Sequence, residues 1–447
     1  MTGKTRREFL KTSAAAASAL AFPTVVPSTV FGQNAPSNRI HLAGLGVGSR
    51  GNGVLAGFLQ LPDQRILAVC DPYRDKRERT AAAVDQKSGG KICTPYADFR
   101  EVLARDDIDA AVICSCDHWH VHLALHAVRA GLDVYVEKPL GVCLTWEKQL
   151  REEVQRYGRI FQYGTQQRSS SQFRHTCELV RNGYIGELEG IDVWSPDVSD
   201  DWNDFTVPRY GRTDEQPVPE GFEYDMWLGP AKRMPYNEDR CRREGSFHIY
   251  DYGLGFIAGW GAHPLDIAQW GNDADDTGPV YYEGQGEVPT EGLLDTVASW
   301  DVHCRYENGV KMHFMCHRVA EPIVKGYRRR WSGHGTTFFG SEGWISVDRG
   351  GIEASDHRIP AIKLADTDRR LYHSPRHDRN FLDCIKSRQR AVSDVGAAVR
   401  SNTISHLSEQ CVRLGRPVRW DPQREQAIGD AQLNRLLSRP TRGPWHV

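Results

Sequence analysis

The stretch from Arg39 to Gly51, read as Arg-Ile-His-Leu-Ala-Gly-Leu-Gly-Val-Gly-Ser-Arg-Gly, constrains the fold more than any other part of the chain. Its first half is a short apolar run suited to a buried strand. Its second half sets Gly46, Gly48 and Gly51 in a G-x-G-x-x-G pattern ahead of a helix-compatible segment from Asn52 to Leu61. Such a strand, turn and helix make an anion cradle: Gly46 permits the turn, Gly48 lets backbone approach a pyrophosphate, and Gly51 lets helix and strand pack closely. With Ser49 and Arg50 in the loop, the helix N-terminus adds unpaired N–H groups and the positive end of a dipole. A second apolar run, Arg65 to Cys70, ends in Asp71, about 20 residues beyond Gly51, where a carboxylate meets an adenosine ribose. The pattern predicts a bound dinucleotide, NAD or NADP. Asp71 favours a free 2′-hydroxyl, whereas Arg74, Lys76 and Arg77 accommodate a 2′-phosphate.

From this loop to about Trp146, strand-like and helix-like runs alternate. Ala110 to Cys114 reads as a buried strand, Leu123 to Gly131 as a helix, and Asp133 to Val136 as a strand running into Glu137-Lys138-Pro139. Repeated βα units imply a parallel sheet whose ligands sit outside the carboxyl ends of the strands, the edge where His118, Glu137 and Lys138 fall. The second half reads differently. Thr296 to Tyr306 and Val310 to His317 form a hairpin around Asn308-Gly309, and Thr336 to Phe339 with Trp344 to Val347 form another. The expected architecture is an α/β Rossmann domain (37–160) followed by an α+β domain with an open-faced, mostly antiparallel sheet (161–447). Within the second domain, the insertion from about Asp197 to Gly245, carrying Trp202, Phe205, Tyr210, Phe222, Tyr224 and Trp227, is expected to pack on its own domain.

Residues 1–32 read as an export signal of twin-arginine type, with Arg6-Arg7 ahead of an uncharged, Ala-rich run, which implies a periplasmic protein. That run is too interrupted by Ser, Thr and Pro to span a membrane convincingly, so no stable insertion is expected. A net charge of −2 leaves no electrostatic footprint for nucleic acid. The 11 cysteines form no Cys-x-x-Cys pair and read as small buried hydrophobes.

The glycine loop, Cys114-Ser115-Cys116-Asp117-His118-Trp119-His120, Glu137-Lys138-Pro139-Leu140 and Gly261-Ala262-His263-Pro264-Leu265-Asp266 occur in order and together resemble the Gfo/Idh/MocA oxidoreductase family. The resemblance implies NAD(P)-dependent oxidation of a hydroxyl on a sugar, sugar derivative or polyol, and a homo-oligomer formed through the C-terminal sheet. Lys138 resembles the family lysine that touches the substrate hydroxyl and the cofactor ribose. His263 resembles the family histidine that serves as, or assists, the acid/base, and imidazole has a suitable intrinsic pKa.

One departure stands out: many relatives carry Asp four residues before this histidine, and this chain has Gly259. Asp266, on the same helical face as His263, supplies a candidate charge, with Asp251, Tyr250 and His248 as further candidates. Arg168, in Thr165-Gln166-Gln167-Arg168-Ser169, either binds substrate hydroxyls or cofactor, or pairs with a carboxylate at the domain junction. His118, His120 and His122 raise a metal-hydrolase alternative, but their spacing abuts a helix start, and no metal site is expected. Export in the folded state implies a retained cofactor and a closed redox cycle. The cycle either oxidises one sugar and reduces another, or oxidises transiently, eliminates a glycosidic substituent and re-reduces. A non-catalytic nucleotide-binding protein on the same fold is the third reading.

Overall fold

The computed structural model describes residues 39–198 and 211–447; the expected signal (1–32) and Trp202, Phe205 and Tyr210 lie outside the described residues. Six strands, β1 (Ile40–Leu45), β2 (Gln64–Cys70), β3 (Thr94–Tyr96), β4 (Ala110–Ile113), β5 (Asp133–Val136) and β6 (Phe161–Tyr163), form a sheet of order β3-β2-β1-β4-β5-β6. Every neighbouring pair is parallel. Helices cover both faces, which is why β4 and β5 are buried at every position rather than alternating. Strand order reverses between β1 and β4, and the crevice outside their carboxyl ends is where such sheets bind ligands. The glycine loop leads from β1 into α1 (Ser49–Phe58), and α2 (Arg74–Ser88) follows Asp71.

Three details differ from the sequence reading. The helix α3 (Asp117–Arg129) starts well before Leu123, so His118, His120 and His122 lie on a helix and not on one side of a strand. Its first turn is buried all round, which erases the one-sided apolar pattern that marks a helix. β6 carries the parallel sheet beyond residue 160. Phe381 and Leu382, far along the chain, join Phe58 and Tyr135 in the core beneath this sheet.

The second sheet has the order β13-β12-β11-β7-β10-β9-β8-β14-β15. Here β7 is Leu188–Ser195, β8 Tyr281–Glu287, β9 Ser299–Arg305, β10 Lys311–Cys316, β11 Gly335–Gly340, β12 Gly343–Asp348, β13 Gly351–Ala354, β14 Val418–Asp421 and β15 Gln426–Ala427. Only β7 and β10 run parallel among its described pairs. Both expected hairpins form, the first turning at Gly309 with φ +90°. One face packs Trp300, Val302, Met312 and Phe314 into the core with residues of α4 (Leu144–Arg156), α5 (Ala262–Gly271) and α6 (Val395–Leu414). The insertion aromatics Phe222 and Trp227 cluster with Tyr236 and Tyr252, but Phe222 also stacks on Tyr73 with ring centroids 3.9 Å apart. The insertion therefore reaches back over the first sheet, where Tyr73 is the residue that follows Asp71-Pro72. Among the described residues no helix is long and apolar enough to cross a membrane.

Candidate active site

A cavity of about 410 Å³ opens at the carboxyl ends of β1, β2 and β4. The glycine loop, Asp71, Ser115 to Asp117 and Lys138 line one side, and Trp227, Phe247 and Trp260 line the other. The loop has the shape a dinucleotide requires. Gly46 has φ +85°, and a Cβ there would lie 2.4 Å from the Ser115 nitrogen; a Cβ on Gly51 would lie 2.1 Å from the Gly46 oxygen. A Cβ on Gly48 would meet no atom within 4 Å, so this glycine faces the open space that a pyrophosphate needs.

Asp71 closes the loop from below. Its Oδ2 accepts the Val47 N–H (2.9 Å) and its Oδ1 the Tyr73 N–H (3.0 Å). Burial pushes its carboxyl above the ordinary range, against those two N–H groups. The basic residues that follow are mostly committed elsewhere. Arg77 donates to the carbonyls of Asp71 and Pro72, and Arg74 lies 3.6 Å from Glu220. Lys76 sits 3.8 Å over the Tyr73 ring and lines the cavity.

A second cavity, of about 530 Å³, shares Arg50, Lys138 and Trp260 with the first and adds His263, Gln166 and Arg349. Lys138 and His263, far apart in sequence, thus face one space. The Lys138 Nζ donates to the Gly259 carbonyl at 2.7 Å, so the position lacking the family carboxylate still supplies an acceptor through its backbone. Burial lowers the Lys138 pKa, and Glu137 opposes the shift, as does Asp117 once it is ionised. His263 is 4 % exposed, and its Nδ1 has no hydrogen-bond partner among the described residues. Burial, then the positive fields of Lys138, Arg349 and Arg50, hold its pKa well below 6.5, so the imidazole is neutral near neutrality. Beneath them Glu137 is a buried hub: it accepts from Arg50 (2.6 Å), Tyr135 (3.2 Å), Gln166 (2.8 Å) and the Lys138 N–H (3.3 Å). It lines neither cavity and positions the two cations that do.

Other residues singled out by sequence sit elsewhere. Arg168 and Asp266 find each other: Nε donates to Oδ2 at 2.7 Å and Nη2 to Oδ1 at 2.8 Å. Arg168 also makes two bonds to Asp275, at 2.9 and 2.7 Å. Of its two readings, the structure shows the junction ion pair, and Asp266 turns to Arg168 rather than to His263. His118 is buried with its Nε2 2.9 Å from the Trp227 carbonyl, and burial pushes its pKa down to about 4. It does not line the cavity, nor does Asp251. His120 is taken by the carbonyls of Pro139 and Ser115.

Two residues escaped the sequence reading. Asp117, the first residue of α3, lines the dinucleotide cavity, and its buried Oδ2 has no hydrogen-bond partner among the described residues. Burial pushes its carboxyl up to about 8, against the pull of Lys138. Its sequence signal was an acid directly after a buried strand, within a motif already singled out. Arg349, between β12 and β13, lies 5.0 Å over the Trp260 ring and had no signal.

Sheet order, glycine cradle and the Lys138–His263 cavity define the Rossmann-type oxidoreductase class. Family models agree: the one described as oxidoreductase family, NAD-binding Rossmann fold, matches residues 39–165, and the one described as oxidoreductase family, C-terminal alpha/beta domain, matches 172–323 and 353–447. The chain belongs to the Gfo/Idh/MocA oxidoreductase family and carries its NAD-binding fold. A glycosyl hydrolase family 109 protein from Saccharopolyspora erythraea is 34% identical over 163 residues, 32% of this chain and 35% of the relative. Another, from Akkermansia muciniphila, is 24% identical over 176 residues, 37% of this chain and 36% of the relative. The aligned part thus spans about a third of these curated relatives. Among solved structures, myo-inositol 2-dehydrogenase from Lactobacillus plantarum superposes with a TM-score of 0.58 at 15% identity, covering 85% of this chain and 99% of that one. The WlbA dehydrogenase from Bordetella pertussis, in complex with NADH and UDP-GlcNAcA, gives 0.59 at 14% identity, covering 86% and 99%. At these identities the likeness is one of fold.

Proposed function

We propose that the protein oxidises a hydroxyl of a sugar derivative, with NAD held across the first sheet. The observation that carries this reading is the cavity in which Lys138 meets a neutral His263 whose Nδ1 is unpartnered among the described residues, a cavity that shares Arg50, Lys138 and Trp260 with the dinucleotide cavity. The backbone from Gly46 to Gly51 would hold the pyrophosphate and Asp71 the adenosine ribose. With Arg77 turned to the carbonyls of Asp71 and Pro72 and Arg74 outside the cavity lining, a free 2′-hydroxyl is favoured over a 2′-phosphate. When bound, the nicotinamide supplies a two-electron acceptor. The protein supplies the rest. His263 takes the hydroxyl proton, Lys138 steadies the oxygen that loses it, and Arg50 and Arg349 lower the energy of the negative charge that develops there.

The second cavity is lined by three cations and, among the described residues, by no carboxylate. That lining favours a substrate bearing an acidic group, such as a uronic acid derivative, over a neutral polyol. Mass spectrometry of the supernatant from denatured native protein is expected to find NAD. A panel of acidic and neutral sugars is expected to change the nicotinamide absorbance with the acidic members. Full activity in both Lys138→Ala and His263→Ala would overturn the reading.

A second reading is supported by the relatives named glycosyl hydrolase family 109 proteins: transient oxidation, elimination and re-reduction, with no net redox change. Release of a free aglycone with the nicotinamide absorbance returned to its starting value would select it. The Arg6-Arg7 segment supports export to the periplasm and hence a cofactor kept through many turnovers.

A further inference from the structure

The outer face of the second sheet carries a different chemistry. Asp301 and His303 are two apart on β9 and share a face, and the Asn308-Gly309 turn places His313 of β10 directly opposite His303. The register extends this row on both sides: Glu283 of β8 lies opposite His303, and Asp192 of β7 lies opposite His313. A cavity of about 330 Å³ lies over the row and is lined by Asp192, Glu283, His303 and His313.

We propose that Asp301, His303 and His313 bind a divalent transition-metal ion of the zinc type. Both imidazoles converge on one carboxylate oxygen: Asp301 Oδ1 lies 2.6 Å from His313 Nε2 and 3.7 Å from His303 Nε2. The three ligand atoms all fall within 4.8 Å of one another. Ligands at about 2.1 Å from a tetrahedral ion stand about 3.4 Å apart, so the two observed separations bracket the bound geometry. The rings stack with centroids 4.1 Å apart and 17° between planes, so a modest tilt of His303 brings its nitrogen in. His303 has room for this, its side chain being 58% exposed.

The donor set selects the ion. Two imidazole nitrogens and one carboxylate oxygen suit Zn²⁺, Co²⁺ or Ni²⁺, whereas Mg²⁺ and Ca²⁺ want oxygen alone. Three protein ligands leave a position for water, which the cavity can hold. Glu283 and Asp192 add negative charge to either side, while Arg305 and Lys311, two pairs further along the strands and next on this face, set the limit of the site. Asp192 is itself held by the Tyr327 hydroxyl at 3.0 Å, which keeps it in an outer, hydrogen-bonding role. The site is separate from the Lys138–His263 cavity, because α5, which carries His263, packs on the inner face of the sheet. Its effect is to tie β9 to β10.

The test uses full-length, untagged protein freed of metal with a chelator. Titration with Co²⁺ is expected to give one equivalent bound and ligand-field absorption bands, and Zn²⁺ is expected to bleach them. His303→Ala and His313→Ala should each weaken binding at least about 10-fold, and the double variant should abolish the bands. His357→Ala, at a histidine whose side chain is 95% exposed, should bind as the parent does. Far-UV circular dichroism checks the fold of each variant, and His303→Ala carries the test should the less exposed His313 prove necessary for folding. Absence of a stoichiometric Co²⁺ complex in the parent, or binding in His303→Ala as tight as in the parent, would overturn the proposal.

Discussion

Two buried ionic clusters, one at the junction of the sheets and one at the cavity, use the same residue types to opposite ends. At the junction, Arg168 is 2% exposed and makes four hydrogen bonds to the carboxylates of Asp266 and Asp275. At the cavity, Glu137 is equally buried and holds Arg50 and the Lys138 backbone. Around it, the His263 Nδ1 and the Asp117 Oδ2 are left without partners among the described residues. Desolvating a charge is costly, and only complete pairing offsets that cost. A saturated cluster is therefore fixed structure. An unsaturated one has bonding capacity left for a substrate, which is why the second cluster and not the first marks the site.

The sharpest way to break the comparison is to remove one charge from each cluster. Arg168→Ala strands the buried Asp266 and unpairs Asp275, whose side chain is 30% exposed, and we expect it to cost roughly 3–5 kcal/mol of stability in a urea titration. His263→Ala removes a group with an unused nitrogen, so stability should change little. Turnover should fall roughly 10²- to 10³-fold, about 3–4 kcal/mol of barrier. Because burial and nearby cations keep His263 neutral well below pH 6.5, the parent's kcat/KM should also show no acid inflection near 6.5. If Arg168→Ala leaves stability intact while His263→Ala unfolds the protein, the distinction between the clusters fails.

Asp117→Asn sharpens the contrast through its sign. The native carboxyl keeps its proton up to about pH 8, whereas an unfolded one loses it near the ordinary aspartate value. The folded state thus binds more protons across that window, and stability falls as pH rises from about 4 towards 8. Asparagine removes the penalty. We expect Asp117→Asn to gain about 1–2 kcal/mol at pH 7, a discounted figure because Lys138 lies near, and to erase any inflection near 8 from the activity profile. Loss of stability in this variant would show that Asp117 has a partner and belongs with the saturated cluster.

What sequence could show of these clusters follows their reach. The glycine loop, Asp71 and the Lys138 strand end were legible because each is a local pattern whose neighbours along the chain are its neighbours in space. The Asn308-Gly309 hairpin was legible for the same reason, since a turn sets its own register. Arg168 was not, because its partners lie on α5 and just beyond it, and no local rule chooses between substrate and carboxylate. Asp117 was hidden by the buried first turn of α3, where Cys116 offers no side-chain cap. Arg349 reaches the site only because the hairpin of β12 and β13 folds over it.

The smallest effect tests the least obvious part of the site. Gly259 stands where the resemblance predicts Asp, yet its carbonyl accepts from the Lys138 Nζ, an interaction that does not depend on its side chain. A Cβ there would touch Phe247 at 3.5 and 3.7 Å, ordinary contact distances, and no positive φ demands glycine. Gly259→Ala is therefore expected to keep turnover within about 3-fold and to add under about 1 kcal/mol of stability by restricting the unfolded chain. Gly259→Asp goes further, because a carboxylate beside Lys138 favours the ammonium and should move its pKa back towards the ordinary lysine range. An upward displacement of the alkaline limb in Gly259→Asp, absent from Gly259→Ala, would show that the backbone carbonyl leaves Lys138 more easily deprotonated than a family aspartate would. Inactivity of a well-folded Gly259→Ala would instead mean that the space above Gly259 belongs to the substrate.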